Sequence, residues 1–344
     1  MRTNTVASVL LAAVLLCGCV NRGGSASSGS VETAFIREFP NLRIPSMYTD
    51  PYDRMVYAAE HYWDAFLSTD STWPCDSLTI NGVPAETVEE HFATYVELLS
   101  QILSLPAGQT DVAASVSAVS DARKGMSSLF RRVEAKQQSD SLSNVFDSFA
   151  SMAEKYLYDP NSPYRCEDLY LPYVQGLADS PLTDPLMVPA YSHDAQMCAM
   201  NSIGSKVPDF VFKDIDGRTY SLYGVKGTFT LLFFSNPGCE ACKQIIETIK
   251  SDIGLEHLIS SGRLAVVNVY IDEDIDAWKS YQDYYPDTWF NGYDPSYSIR
   301  QDVKYNVRAI PSLYLLDSEK RVIMKDAPEN RVFDYLNAVR VAGF

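Results

Sequence analysis

Thr228 to Phe234 reads TFTLLFF, an uncharged run that ends just short of Cys239-Glu240-Ala241-Cys242. A run of this length and character is a strand buried on both faces. The residues that follow predict a helix from the C-x-x-C to about Ser251. Leu264 to Ile271 (LAVVNVYI) is a second buried strand, and Ile275 to Tyr284 a second helix. Ahead of them, Val207 to Phe212 and Thr219 to Leu222 flank Asp216-Gly217, the signature of a hairpin. Ser312 to Leu316 and Arg321 to Lys325 form a strand pair across a turn near Ser318-Glu319, and Arg331 to Val341 closes the chain as an amphipathic helix. The C-terminal part is therefore α/β.

The residues before Lys206 read differently. From about Pro51 to Ala178 apolar side chains recur every three or four positions. One stripe is Met55, Ala59, Tyr62, Trp63, Phe66, and a second is Val88, Phe92, Tyr95, Val96, Leu99, Ile102, Leu103. A third is Val112, Val116, Val119, Met126, Leu129, Phe130, Val133, and a fourth runs from Leu142 through Phe149 to Tyr156. Four or five such helices predict a small bundle whose aromatic stripes are core. Pro51 and Pro84 suit a first helical turn. Prolines crowd between Asp159 and Pro189, which predicts irregular chain and short helices there. The predicted division is a leader over 1–18, a tether over 19–48, an all-α helical domain over 49–202 and the α/β domain over 203–344.

The leader has Arg2, then the apolar Val6 to Leu16, too short to span a bilayer. It runs into Leu16-Cys17-Gly18-Cys19, which looks like a bacterial lipobox with Cys19 as the lipidated residue. Asn21 to Ser30 is rich in Gly and Ser and reads as a flexible tether. These features predict a chain lipid-anchored in the cell envelope and facing the periplasm.

Of the seven cysteines, Cys17 and Cys19 belong to the leader and Cys239 and Cys242 to the C-x-x-C. Cys75, Cys166 and Cys198 allow three disulfide pairings, of which Cys75–Cys166 is favoured. A net charge of −16 argues against nucleic acid as a partner. The four histidines, His61, His91, His193 and His257, place only one in the α/β part. With no second C-x-x-C, the pair is predicted to be redox-active and not half of a zinc site, and no metal or other cofactor is predicted.

Phe233 to Lys243, with the C-x-x-C at its centre, resembles the active-site segment of thioredoxin-like proteins. Arg308-Ala309-Ile310-Pro311-Ser312-Leu313 resembles their cis-proline loop, and Val207 to Gly227 is similar to the start of membrane-anchored thioredoxin-like reductases. The resemblance covers roughly residues 203 to 344 and implies a thioredoxin fold with a thiol–disulfide oxidoreductase activity. A cysteine in a first helical turn meets unsatisfied N–H groups and the positive end of the dipole, which favour the thiolate. Cys239 is accordingly the nucleophile and Cys242 the resolving thiol. Pro311, cis by resemblance, would set backbone beside the sulfurs for an extended substrate to pair with, and Ile310 before it would modulate that contact. Glu240, a carboxylate next to Cys239, disfavours the thiolate and pushes the pair toward reductant behaviour, with Lys243 partly cancelling the effect. Three positions depart from the family pattern: Gly238 stands where Trp is usual, and Phe233 and Ile245 stand where relatives carry a buried carboxyl. Tyr284, Tyr285, Trp289 and Phe290 read as packing within an inserted segment more than as a substrate groove.

The whole chain resembles lipoproteins of Bacteroides-type bacteria that join an uncharacterised helical domain to a thioredoxin-like one. The implied function is electron exchange with the disulfides of exported proteins, as reductase or isomerase. In an oxidising compartment that role implies a membrane electron donor. The alternative is a helical protein- or ligand-binding module on a thioredoxin-like scaffold that does not cycle.

Overall fold

The computed structural model describes residues 37–104 and 112–341. The leader, Cys19 and the tether up to residue 36 lie outside the described residues. No described helix is long and apolar enough to cross a membrane.

The helical layer begins with α1, Pro51–His61. Asp50 caps it, its Oδ1 accepting from the N–H of Tyr52 at 2.8 Å and of Asp53 at 3.1 Å, with Pro51 at the first position. A two-stranded hairpin follows, β1 Thr79–Ile80 and β2 Val83–Pro84, turning on Asn81 and Gly82, both at positive φ. Pro84 thus ends a strand and precedes α2, Ala85–Leu103, instead of sitting inside its first turn. The seven residues of the second stripe are all buried in α2. Next come α3 (Val112–Ser139) and α4 (Val145–Ala153), and α4 runs on into a π-helical turn over Glu154–Tyr158. Leu142 is 87% exposed, because the fourth stripe starts one turn later than its pattern suggests. The rings of Trp63, Phe66, Phe92 and Phe149 fill the centre, Trp63 meeting Phe149 edge to face at 4.9 Å. Burying each such ring contributes roughly 1.5–3 kcal/mol.

The proline-rich stretch is more regular than its composition predicts. It carries α5 (Glu167–Asp179) and α6 (Val188–Ala199), and Pro172 lies inside α5. A proline there leaves the carbonyl four residues back without its N–H partner. That carbonyl, on Asp168, accepts instead from Arg123 Nε at 2.9 Å, and the same guanidinium binds the Asp168 carboxylate. The helix survives its proline because α3 supplies the missing donor.

The change from helices to sheet falls between Ala199 and Lys206, which bridges to Arg321. The strands are β3 (Val211–Lys213), β4 (Thr219–Ser221), β5 (Phe229–Phe234), β6 (Leu264–Tyr270), β7 (Phe290–Tyr293), β8 (Ser312–Asp317) and β9 (Val322–Met324). They form one sheet in the order β4-β3-β7-β6-β5-β8-β9. β5 and β6 run parallel at its centre, and β8 lies antiparallel to β5. Along β5 side chains alternate between two cores: Leu231 and Phe233 face one, Leu232 and Phe234 the other. Helices α7 (Glu240–Ser251), α8 (Ile253–Ser260) and α11 (Glu329–Val341) bury their apolar faces in the first core. The short helices α9 (Ile275–Ser280) and α10 (Ser298–Gln301) join the strands.

Strand β7 and helix α8 have no counterpart in the sequence reading. β7 has no alternating pattern, and Gly292 within it is required by packing. A Cβ there would stand 2.6 Å from the Phe212 ring and 2.8 Å from the Lys213 carbonyl. Helix α8 starts at Asp252, whose Oδ1 accepts from the N–H of Gly254 at 2.7 Å and of Leu255 at 3.0 Å. Its other oxygen accepts from Asn337 on α11. The hydrogen bond from Leu255, with those from Asn337 and Gly254, holds this carboxyl below its ordinary 3.8. Asp252→Ala is expected to cost about 1 kcal/mol at neutral pH. Since the folded-state value is depressed, the difference from wild type is present above 3.8 and shrinks as pH falls through the lower folded value. Urea midpoints of both proteins at pH 7 and in acid check this; an unchanged midpoint at pH 7 refutes it.

The helical layer and the sheet belong to one compact unit. Their junction is charged and buried. Arg308, in the loop before β8, donates from Nε to Glu167 of α5 at 3.0 Å and from Nη2 to Asp326 at 3.0 Å. Lys325, fully buried, lies 3.3 Å from the other Glu167 oxygen. Burial pushes the Glu167 carboxyl up against the opposing pull of Lys325 and Arg308.

Candidate active site at the start of α7

Cys239 caps α7 from an extended conformation, and its sulfur accepts from the Cys242 N–H at 3.2 Å. The turn that delivers it passes through Gly238 at φ +73°, where a Cβ would meet nothing. Glycine is therefore there for its backbone conformation, not for space. Cys239 and Cys242 are joined as a disulfide with Cα atoms 5.2 Å apart. Cys239 is half-buried, whereas Cys242 is 2% exposed and packed in the first core. The exposed sulfur is the one facing the helix N-terminus, so a thiolate formed there gains both the Cys242 N–H and the dipole.

Ile310–Pro311 is a cis peptide bond, as the resemblance implies. Phe234 at the end of β5 pairs with Ser312, the residue after Pro311. The topology thus brings the C-x-x-C turn and the proline loop to the same end of adjacent strands. Ile310, half-buried, packs against both cores, and Cys239 against the first. Glu240 is exposed in the first turn of α7. Phe233 is fully buried and Ile245 4% exposed, so hydrocarbon fills both positions and neither brings an ionisable group to the pair.

The structure adds residues that no local pattern marks. Asn236, in the turn before Cys239, donates to Asp272 just past the end of β6, and Arg300 of α10 pairs with the same carboxylate at 2.7 Å. This ties the turn to two other elements. Behind it, Ser235 donates to Asn268 at 2.5 Å and Asn268 to Asn291 at 3.2 Å, a buried polar chain beside the ring of Tyr285. Burial pushes the Tyr285 hydroxyl up, with Ser235 and Asn268 working the other way. Tyr285 and Trp289 are core residues, while Tyr284 is half exposed, stacks on Tyr281 at 4.4 Å and lies 6.0 Å from Lys243 Nζ.

The favoured Cys75–Cys166 disulfide is not formed: Cys75, Cys166 and Cys198 are all free thiols. Cys75 donates to the Trp73 carbonyl in its own loop at 3.5 Å. Cys166 and Cys198 lie inside the helical core, where burial pushes both thiols up. Such thiols are unreactive.

A seven-stranded sheet with a C-x-x-C disulfide at the start of a helix and a cis-proline just before the neighbouring strand defines a thioredoxin-like protein. The comparisons agree. The chain is similar to a thioredoxin-like protein of Bacteroides caccae whose crystal structure is known, 30% identical, with a TM-score of 0.71, covering 88% of this chain and 98% of that one. It is also 25% identical over 142 residues to the thiol–disulfide oxidoreductase ResA of Bacillus subtilis, covering 40% of this chain and 76% of that protein. Residues 18–197 match the family described as a domain of unknown function, DUF5106. The chain belongs to that family and carries a thioredoxin-like domain of the thiol–disulfide oxidoreductase type behind it.

Proposed function

We propose that the chain is an envelope thiol–disulfide oxidoreductase that exchanges electrons with disulfides of exported proteins, as reductase or isomerase. The observation that carries this reading is the half-buried Cys239 sulfur at the N-terminus of α7, disulfide-bonded to Cys242 beside a cis-proline loop. In the reduced protein the Cys239 thiolate attacks one sulfur of a substrate disulfide, forming a mixed disulfide and releasing the other sulfur as a thiolate. Cys242 then loses its proton and attacks Cys239, releasing the second substrate thiol and closing the internal disulfide. Two electrons have passed to the substrate, and a membrane electron donor returns them to the pair. The lipobox places the chain on the membrane through Cys19, with its domains in the periplasm. The exposed Glu240 tunes the pair toward reductant behaviour.

The test is the reduction potential of Cys239–Cys242 in the full chain, equilibrated in graded dithiothreitol buffers and read by alkylation and mass spectrometry. A reversible couple near or below about −270 mV, thioredoxin's value, supports a reductase. A much more oxidising couple points to oxidase or isomerase. A disulfide that never opens would sink the redox reading and leave a helical binding module on a thioredoxin-like scaffold.

A further inference from the structure

The loop between α10 and the cis-proline has no regular structure of its own, yet it is anchored at successive positions. Three of its anchors come from the helical layer. Asn201, just after α6, donates to the Lys304 carbonyl at 2.9 Å. Asn306 donates to Glu167 Oε1 at 2.7 Å. Arg308 donates to that same oxygen and to the carbonyl of Tyr158, and its guanidinium lies 4.0 Å above the Tyr158 ring. The chain of contacts continues to the proline itself: Arg308 binds Asp326, and Asp326 accepts from Ser312 Oγ at 2.9 Å. Ser312 is fully buried and follows Pro311 directly. Arg165 of the helical layer holds the backbone of the same turn, donating to the Asp326 carbonyl at 3.1 Å. Glu167 is the hub, 1% exposed and receiving Asn306, Arg308 and Lys325 together.

Buried ion networks of this kind are poor sources of stability, since apolar side chains of similar volume do as well. What they supply is direction: fixed donor and acceptor geometry that an apolar contact does not impose. We propose that Glu167 and Tyr158 are positioning residues for disulfide exchange, through which the helical layer holds the cis-proline loop in the shape that receives an extended substrate. This inference rests on the oxidoreductase function proposed above. A loop already ordered spares a protein substrate the entropy of ordering it on binding, so the effect appears in KM and not in the chemistry of Cys239.

The experiment compares the full wild-type chain with Glu167→Gln and Tyr158→Leu, using insulin as the disulfide substrate and dithiothreitol as the reductant that returns electrons to the pair, with the uncatalysed rate subtracted. Glu167→Gln keeps an acceptor for Asn306 but removes the charge facing Arg308 and Lys325. Tyr158→Leu leaves every ion pair in place and removes the ring under the guanidinium, so it carries the test should the first variant not fold. The expected result is a KM for insulin raised about 10-fold, with kcat within about 2-fold of wild type and the Cys239–Cys242 potential unchanged. KM within 2-fold of wild type in a folded variant overturns the proposal. So does a shifted potential or a fall in kcat alone, which would route the effect through α7. A wild-type chain that fails to reduce insulin at all overturns the oxidoreductase reading first and this inference with it.

Discussion

Replacing Cys239 with serine is expected to lower the reduction of a protein disulfide by at least about 1,000-fold, because a hydroxyl at neutral pH is not ionised and cannot displace a sulfur. The residual rate should not come from the two buried thiols of the helical layer. Cys166 and Cys198 are buried in the helical core with their thiols pushed up, and neither reaches the surface that the cis-proline loop borders. Cys242→Ala is expected to behave differently. Cys239 still attacks, but nothing resolves the product, so a mixed disulfide accumulates and mass spectrometry finds the substrate on Cys239. This expected order of attack rests on burial: Cys239 is half-buried and open to a substrate, whereas Cys242 is 2% exposed and packed in the core. Activity within tenfold of wild type in Cys239→Ser, or a mixed disulfide on Cys242, would show that the roles are reversed or shared.

Arg308→Ala is expected to destabilise the folded chain by about 3–5 kcal/mol, the loss seen when one partner of a buried pair is removed and the other charges stay behind. The side chain is 13% exposed and faces Glu167 and Asp326, which are 1% and 5% exposed. Removing it strands two carboxylates against one remaining cation, Lys325. A loss of that size is a large part of the 5–15 kcal/mol that holds an ordinary domain together. Urea denaturation reads it as a lower midpoint with the slope unchanged. A loss below about 1 kcal/mol would mean that water fills the place of the guanidinium, and that the junction between the helical layer and the sheet is softer than its contacts imply.

The contrast between what could and could not be seen in the sequence runs through these same residues. Val88 to Leu103 form a buried stripe because helical period and burial are local properties, and the pattern records both. Phe229 to Phe234, the hairpin at Gly217, the helix after Cys239 and the last helix were legible for the same reason. β7 was not, because Phe-Asn-Gly-Tyr carries no alternation and becomes a strand only where β6 and Phe212 accept it. Helix α5 was hidden by Pro172, whose effect is cancelled by Arg123 from another helix. The resemblance of Arg308 to Leu313 pointed to a cis-proline, but nothing near Arg308 pointed to Glu167, 141 residues away in the chain.

The sequence by itself determined the elements that bury their own faces and the C-x-x-C pair that opens α7, because period, composition and motif are carried by neighbouring residues. Only the tertiary structure decided which thiols stay free, what surrounds Phe233 and Ile245, and how the helical layer grips the proline loop. Those outcomes depend on distances between residues far apart in the chain, and a buried charge leaves no trace in the sequence of the partner it will need.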